Sequence, residues 1–166
     1  MAPPSTHYEA YIVKSTLAMQ DPDEPETRYH TVIFIVTNDN GSGVSHDVNG
    51  DITSGMTYQV KEAPKPETSE TFHRKEFLGL VQKAKYPEEV DRVCRSVPPP
   101  HVQKRFNTRT MRYEQFKPED GSFYAPGETR PRYFKCTEWT EGKVVPALFQ
   151  VGVLERGGAF GVGLGV

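Results

Sequence analysis

The most apolar run in this chain, His30–Thr37 (HTVIFIVT), is eight residues long and rich in β-branched side chains. A run that short cannot cross a membrane, and it ends in the turn-forming cluster NDNGSG at residues 38–43. The pattern reads as a buried strand that must turn back on itself, so residues 30–50 are expected to form a β-hairpin with a long loop. Glycine and proline together supply 28 of the 166 residues, which argues for many turns and against a helical bundle. The length suits one domain. Apolar residues reach only 36%, but eighteen aromatic residues bring enough bulky surface for a core.

Further strands are expected on either side of that hairpin. His7–Lys14 (HYEAYIVK) is β-rich, and Met56–Glu62 (MTYQVKE) alternates apolar and polar positions. Thr71–Gln82 fits neither a strand nor a helix period cleanly and reads as a strand, or a strand with a bend. Pro87–Ser96 reads as a short helix, with Pro87 at its first position, acids in its first turn and arginines near its end. Val90, Val93, Cys94 and Val97 would form its apolar face. Residues 101–132 read as a long irregular connection, and Lys135–Val153 has helical spacing that Pro146 should kink. The expected domain is 7–154, with flexible tails at 1–6 and 155–166.

Several classes are excluded. No stretch approaches the 18 apolar residues of a membrane span, and Met1–His7 lacks a basic region followed by an apolar stretch, so no secretory signal is expected. Two cysteines, Cys94 and Cys136, make no disulfide framework and no zinc cluster, so a cytoplasmic protein with reduced thiols is expected. The formal net charge of −2 conceals an asymmetry: residues 1–70 carry net −7 and residues 71–166 net +5. Within the second half, 101–117 holds five Lys/Arg and three aromatic residues, the raw material of a nucleic-acid groove. The overall negative charge favours the simpler account that this stretch is solvated or pairs with the acidic half, so no nucleic-acid partner is expected.

The chemistry rests on Cys136. A cysteine nucleophile needs a lowered thiol pKa, a base in reach and a group that orients the base. Cys136 opens the expected C-terminal helix, where free N–H groups favour a thiolate. His30 opens the most apolar strand, and His46 lies on the return strand. In an unbulged antiparallel pairing with an even register sum, both imidazoles face one side, and His46 can orient His30. Each residue alone also has a plain structural account. Cys136 fits a buried thiol, His30 a strand end, Trp139 a packing anchor, and Gly50, Asp51 and Gly55 fit turns. Cys94, on an apolar helix face, reads as structural. No pair of ligands has metal-site spacing, and no cofactor is expected.

The order of these pieces carries a resemblance. HTVIFIV, VSHDVNGD, KCTEWT and VPALFQVGVL resemble, in that order, the circularly permuted papain-like fold of the NlpC/P60 superfamily, which includes lecithin:retinol-acyltransferase-like proteins. Closer still is the likeness to uncharacterised fungal proteins of this type, through His30, His46, Gly50, Asp51, Gly55, Val97–Pro100, Cys136 and Trp139. The chain departs from those patterns at Lys135, Thr31 and the three residues between His46 and Gly50. The resemblance implies a thiol-dependent hydrolase or acyltransferase acting on an amide, ester or thioester of a small molecule or peptide. Cys136 would be the nucleophile, His30 the base and His46 its orienting partner, with Asp47 or Asp51 as substitutes for His46. Trp139 and Asp51 would bind substrate. The alternative is a catalytically silent binding module on the same scaffold. The expected fold class is α+β, an antiparallel sheet of four to six strands packed against the Cys-bearing C-terminal helix.

Overall fold

A computed structural model describes residues 5–157. Its centre is a curled, fully antiparallel sheet of six strands in the order β4-β3-β2-β1-β5-β8. The strands are β1 (His7–Thr16), β2 (Tyr29–Val36), β3 (Gly43–Asp51), β4 (Gly55–Ala63), β5 (Phe72–Gln82) and β8 (Leu154–Glu155). The hairpin expected from the apolar run is β2–β3, paired with Ile33 opposite His46 and Ile35 opposite Val44. The expected strands around it are present as β1 and β4.

The uneven pattern of Thr71–Gln82 has a local cause. β5 is one strand, but its register against β1 shifts between Ala10 and Tyr11 and again between Lys14 and Ser15. Each shift leaves an extra residue on β5, so the in-out alternation changes phase twice and neither period survives.

One face of the sheet is covered by helices. α1 (Glu88–Ser96) buries Val90, Val93 and Cys94, three of the four positions expected on its apolar face. The C-terminal helical segment begins as α2 (Cys136–Trp139), widens into a π-helical turn at Thr140–Val144, and resumes as α3 (Val145–Gln150). Pro146 has no N–H to donate within a helix, so the expected kink takes the form of a wider turn just before it. Trp139 is fully buried, donates its indole N–H to the Val97 carbonyl at 3.2 Å, and lies 5.9 Å from the Tyr58 ring. It therefore joins the C-terminal helix to α1 and to β4.

Two expectations are corrected. The stretch 101–132 is not irregular throughout: β6 (Lys104–Asn107) and β7 (Arg112–Gln115) form a separate two-stranded sheet. Their sequences, KRFN and RYEQ, are too polar to show a strand pattern, because the hairpin has only a small apolar face to cover. The domain also extends past residue 154, since Glu155 pairs with Leu80 in the main sheet and bonds His7 and Gln82. Residues 158–166 of the expected C-terminal tail, and 1–4 of the N-terminal one, lie outside the described residues.

The burial of Trp139 makes it the strongest single test of this packing. Trp139→Ala should lower the free energy of unfolding by about 4 kcal/mol, as large-to-small core changes do, measured by urea denaturation.

Candidate active site

The start of β2 is fastened to the first turn of α2 residue by residue. Arg28 places both terminal guanidinium nitrogens on the Glu138 carboxylate, at 2.8 and 2.7 Å. The Tyr29 carbonyl lies 3.7 Å from the Cys136 sulfur. Thr31 and Thr137 join their hydroxyls at 2.8 Å. Glu138 also accepts the Lys135 N–H at 2.9 Å, closing the helix N-terminus. This seam fixes His30, which lies between Tyr29 and Thr31, beside Cys136.

The two side chains share the wall of a cleft of about 600 Å³. The imidazole Nε2 of His30 lies 2.7 Å from Asp47 Oδ2, which leaves Nδ1 for the thiol. The Asp47 hydrogen bond, followed by the one to Cys136, raises the His30 pKa to about 10 against the cost of burial. Burial pushes the Cys136 thiol up, but His30, the Thr31 backbone N–H and the Arg28 charge outweigh it, so its pKa lies below the ordinary value. Both shifts run toward an imidazolium beside a thiolate.

The structure brings Cys136 and His30 together but does not add His46. β2 and β3 pair with an odd register sum, Ile33 opposite His46, so His46 points to the helix-covered face. Asp47, the next residue, faces with His30 and is the carboxylate that holds its Nε2. His46 is fully buried between two tyrosines, with Nδ1 2.7 Å from the Tyr58 hydroxyl and Nε2 2.7 Å from the Tyr86 hydroxyl. Tyr58 donates its own proton to Asp91 at 2.7 Å. Its oxygen must therefore accept from His46 Nδ1–H, which leaves Nε2 to accept from Tyr86. This network holds His46 neutral, and burial lowers its pKa to about 4.

Trp139 is likewise corrected: it is a core residue and takes no part in lining the cleft. Asp51 does line the cleft, but its Oδ1 accepts from the Thr53 N–H, the Thr53 hydroxyl and the Ser54 N–H, so it shapes the β3–β4 turn. Gly50 makes that turn possible, with φ at +119° and no room for a Cβ beside the Gly55 carbonyl. Cys94 is fully buried, and burial pushes its thiol up to about 12, in keeping with a structural role.

The charge asymmetry is paired along the wall of the cleft. The acidic loop 21–27 pairs with the basic half through Lys104–Asp21 (3.0 Å), Lys135–Glu24 (2.6 Å) and Arg132–Glu26 (3.3 Å). Within 101–117, Lys117 pairs with Glu128 at 2.7 Å, and Arg105 lies over the Phe116 and Phe123 rings. Sequence reasoning missed Arg28, Glu138 and the Thr31–Thr137 pair, because nothing local marks them as partners across more than 100 residues. Among the described residues, no group of three His, Cys, Asp or Glu side chains is placed to hold a metal ion. None of the described helices is long and apolar enough to cross a membrane.

Two measurements follow from these contacts. Arg28→Met removes the bidentate partner of Glu138, which keeps only Arg132 and the Lys135 N–H, and also a partner of the buried Glu24; it should cost about 3 kcal/mol in urea unfolding, as breaking one side of a buried pair does. His46 binds a proton below about pH 6.5 when unfolded but only below about 4 when folded. Stability should therefore fall by about 3 kcal/mol as pH drops through that window, and His46→Gln should remove this share of the loss.

No curated protein and no solved structure matches the chain. Over residues 17–155 it matches the model of a family of unknown function, DUF6540, and it belongs to that family.

Proposed function

We propose that this protein is a thiol-dependent hydrolase or acyltransferase working through Cys136, His30 and Asp47 on a permuted papain-like scaffold. The observation that carries this reading is that Cys136 and His30 share the wall of one cleft with the imidazole held by Asp47 at 2.7 Å, an arrangement that lowers the thiol pKa and raises that of the imidazole. The chain order of base, orienting acid and nucleophile, and the antiparallel sheet beneath the Cys-bearing helix, support the scaffold.

Cys136 adds as a thiolate to an acyl carbonyl, and His30 protonates the leaving group. Asp47 keeps the imidazole turned toward sulfur and stabilises its positive charge. The first N–H groups of α2 have no partner within the helix and are placed to receive the developing oxyanion. Val48, Ile52 and Met56 give the cleft an apolar wall for the acyl portion of the substrate. Water as the second reactant gives hydrolysis; another nucleophile gives acyl transfer.

Iodoacetamide labelling of Cys136 across pH tests this reading. The native protein should label at neutral pH and retain reactivity into the acid range. His30→Ala should confine labelling to above about pH 8, like a free thiol, and Asp47→Asn should fall between. Native labelling confined to above about pH 8 would identify a silent binding module instead.

A further inference from the structure

The β2–β3 ladder stops at Ile33 opposite His46, although both strands run on past that pair. Continued in the same register, it would set His30 opposite Asn49 and Tyr29 opposite Gly50. Paired strands lie about 5 Å apart. Here the pairing has ended, and the cleft occupies the gap: His30 and Cys136 line it from one side, Asn49 and Gly50 from the other. The Cys136 sulfur, 3.7 Å from the Tyr29 carbonyl, stands where β3 would have met β2.

Alternate residues of a strand share a face, so Asn49 lies on the same side of the sheet as Asp47 and the imidazole. It is exposed, and among the described residues its carboxamide makes no hydrogen bond, in contrast to the acids around it. Asp51 spends its Oδ1 on the β3–β4 turn, and Asp21 and Glu24 are held by Lys104 and Lys135. Asn49 Oδ1 is therefore an acceptor on the cleft wall, beside the base, that no described side chain uses. Donors for the carbonyl oxygen of a substrate are already supplied by the first N–H groups of α2. What Asn49 adds is a place for a substrate N–H.

We propose that Asn49 determines specificity at the thiol centre: its Oδ1 accepts an N–H carried on the carbon next to the reacting carbonyl, so the acyl donor is an N-acylated amino acid or peptide and not a plain carboxylic acid derivative. The inference rests on the function proposed above. In such a donor the nitrogen is two bonds from the carbon that sulfur attacks, so a carbonyl seated at Cys136 keeps its N–H within the same gap. The group borne by that nitrogen then runs along the apolar wall at Val48, Ile52 and Met56. A donor with oxygen in place of the N–H turns a lone pair toward Oδ1 and loses the contact.

The test uses the p-nitrophenyl esters of N-hexanoylglycine and of hexanoyloxyacetic acid, which differ only in N–H against O. In each, the thiolate adds to the activated carbonyl, the C–S bond forms, and the C–O bond breaks with its electron pair on nitrophenolate. The burst rate with each ester is divided by its rate with free 2-mercaptoethanol, which removes the difference in intrinsic reactivity. The native protein should then favour the glycine ester at least about tenfold. Asn49→Leu should bring that ratio close to one, and Asn49→Asp, which keeps an acceptor, should restore it. A loss of packing or of thiol reactivity would slow both esters alike and leave the ratio unmoved. A native ratio near one, or a ratio that survives Asn49→Leu, overturns the role of Asn49 and leaves the thiol centre standing. Absence of a burst with both esters in the native protein overturns the thiol centre and, with it, this inference.

Discussion

The seam between the start of β2 and the first turn of α2 is the contact on which the rest depends. A sheet and a helix more than 100 residues apart in sequence are joined by one bidentate ion pair, one hydroxyl pair and one sulfur–carbonyl contact. The ion pair is directional, because a planar guanidinium meets a planar carboxylate in only one orientation. That orientation sets how α2 lies over the sheet. Trp139, one turn into the helix, then falls into the core between Val97 and Tyr58. Without the seam, Cys136 and His30 would be an unremarkable helix-start cysteine and strand-end histidine.

The register of β2 against β3 makes the second decision. Adjacent residues on a strand face opposite ways, so His46 and Asp47 receive opposite environments. His46 enters the helix-covered core, where a charge is costly and two tyrosine hydroxyls keep it neutral. Asp47 enters the other face, where a positive imidazole gives its carboxylate a partner. A slip of one residue would exchange them, placing a carboxylate against the core and an imidazole against His30.

The acidic loop at 21–27 and the basic second half of the chain answer each other across the cleft. Lys104 and Lys135 are turned into the loop's carboxylates. The net charges of the two halves therefore describe in part an internal pairing, and Asp21, Pro22 and Glu24 of the loop share the wall of the cleft with Cys136.

Much of the fold was legible in the sequence. The run HTVIFIVT bounded by NDNGSG identified the central hairpin, because β-branched side chains and a glycine-rich turn act locally. Val90, Val93 and Cys94 marked α1 through their spacing, and the order of His30, His46 and Cys136 carried the expectation of thiol chemistry, with the wrong one of two adjacent β3 residues as the third member. The charged β6–β7 hairpin was hidden, since so small a sheet needs little apolar patterning. Local sequence also could not tell His46 from Asp47 as the partner of His30, because that choice follows from the pairing register, a property of two strands together. The amino-acid sequence by itself determined which segments become strands and helices and which groups could do chemistry. Only the tertiary structure decided which of them meet, through Arg28 and Glu138 at the seam and through the odd register that turns Asp47 toward the imidazole.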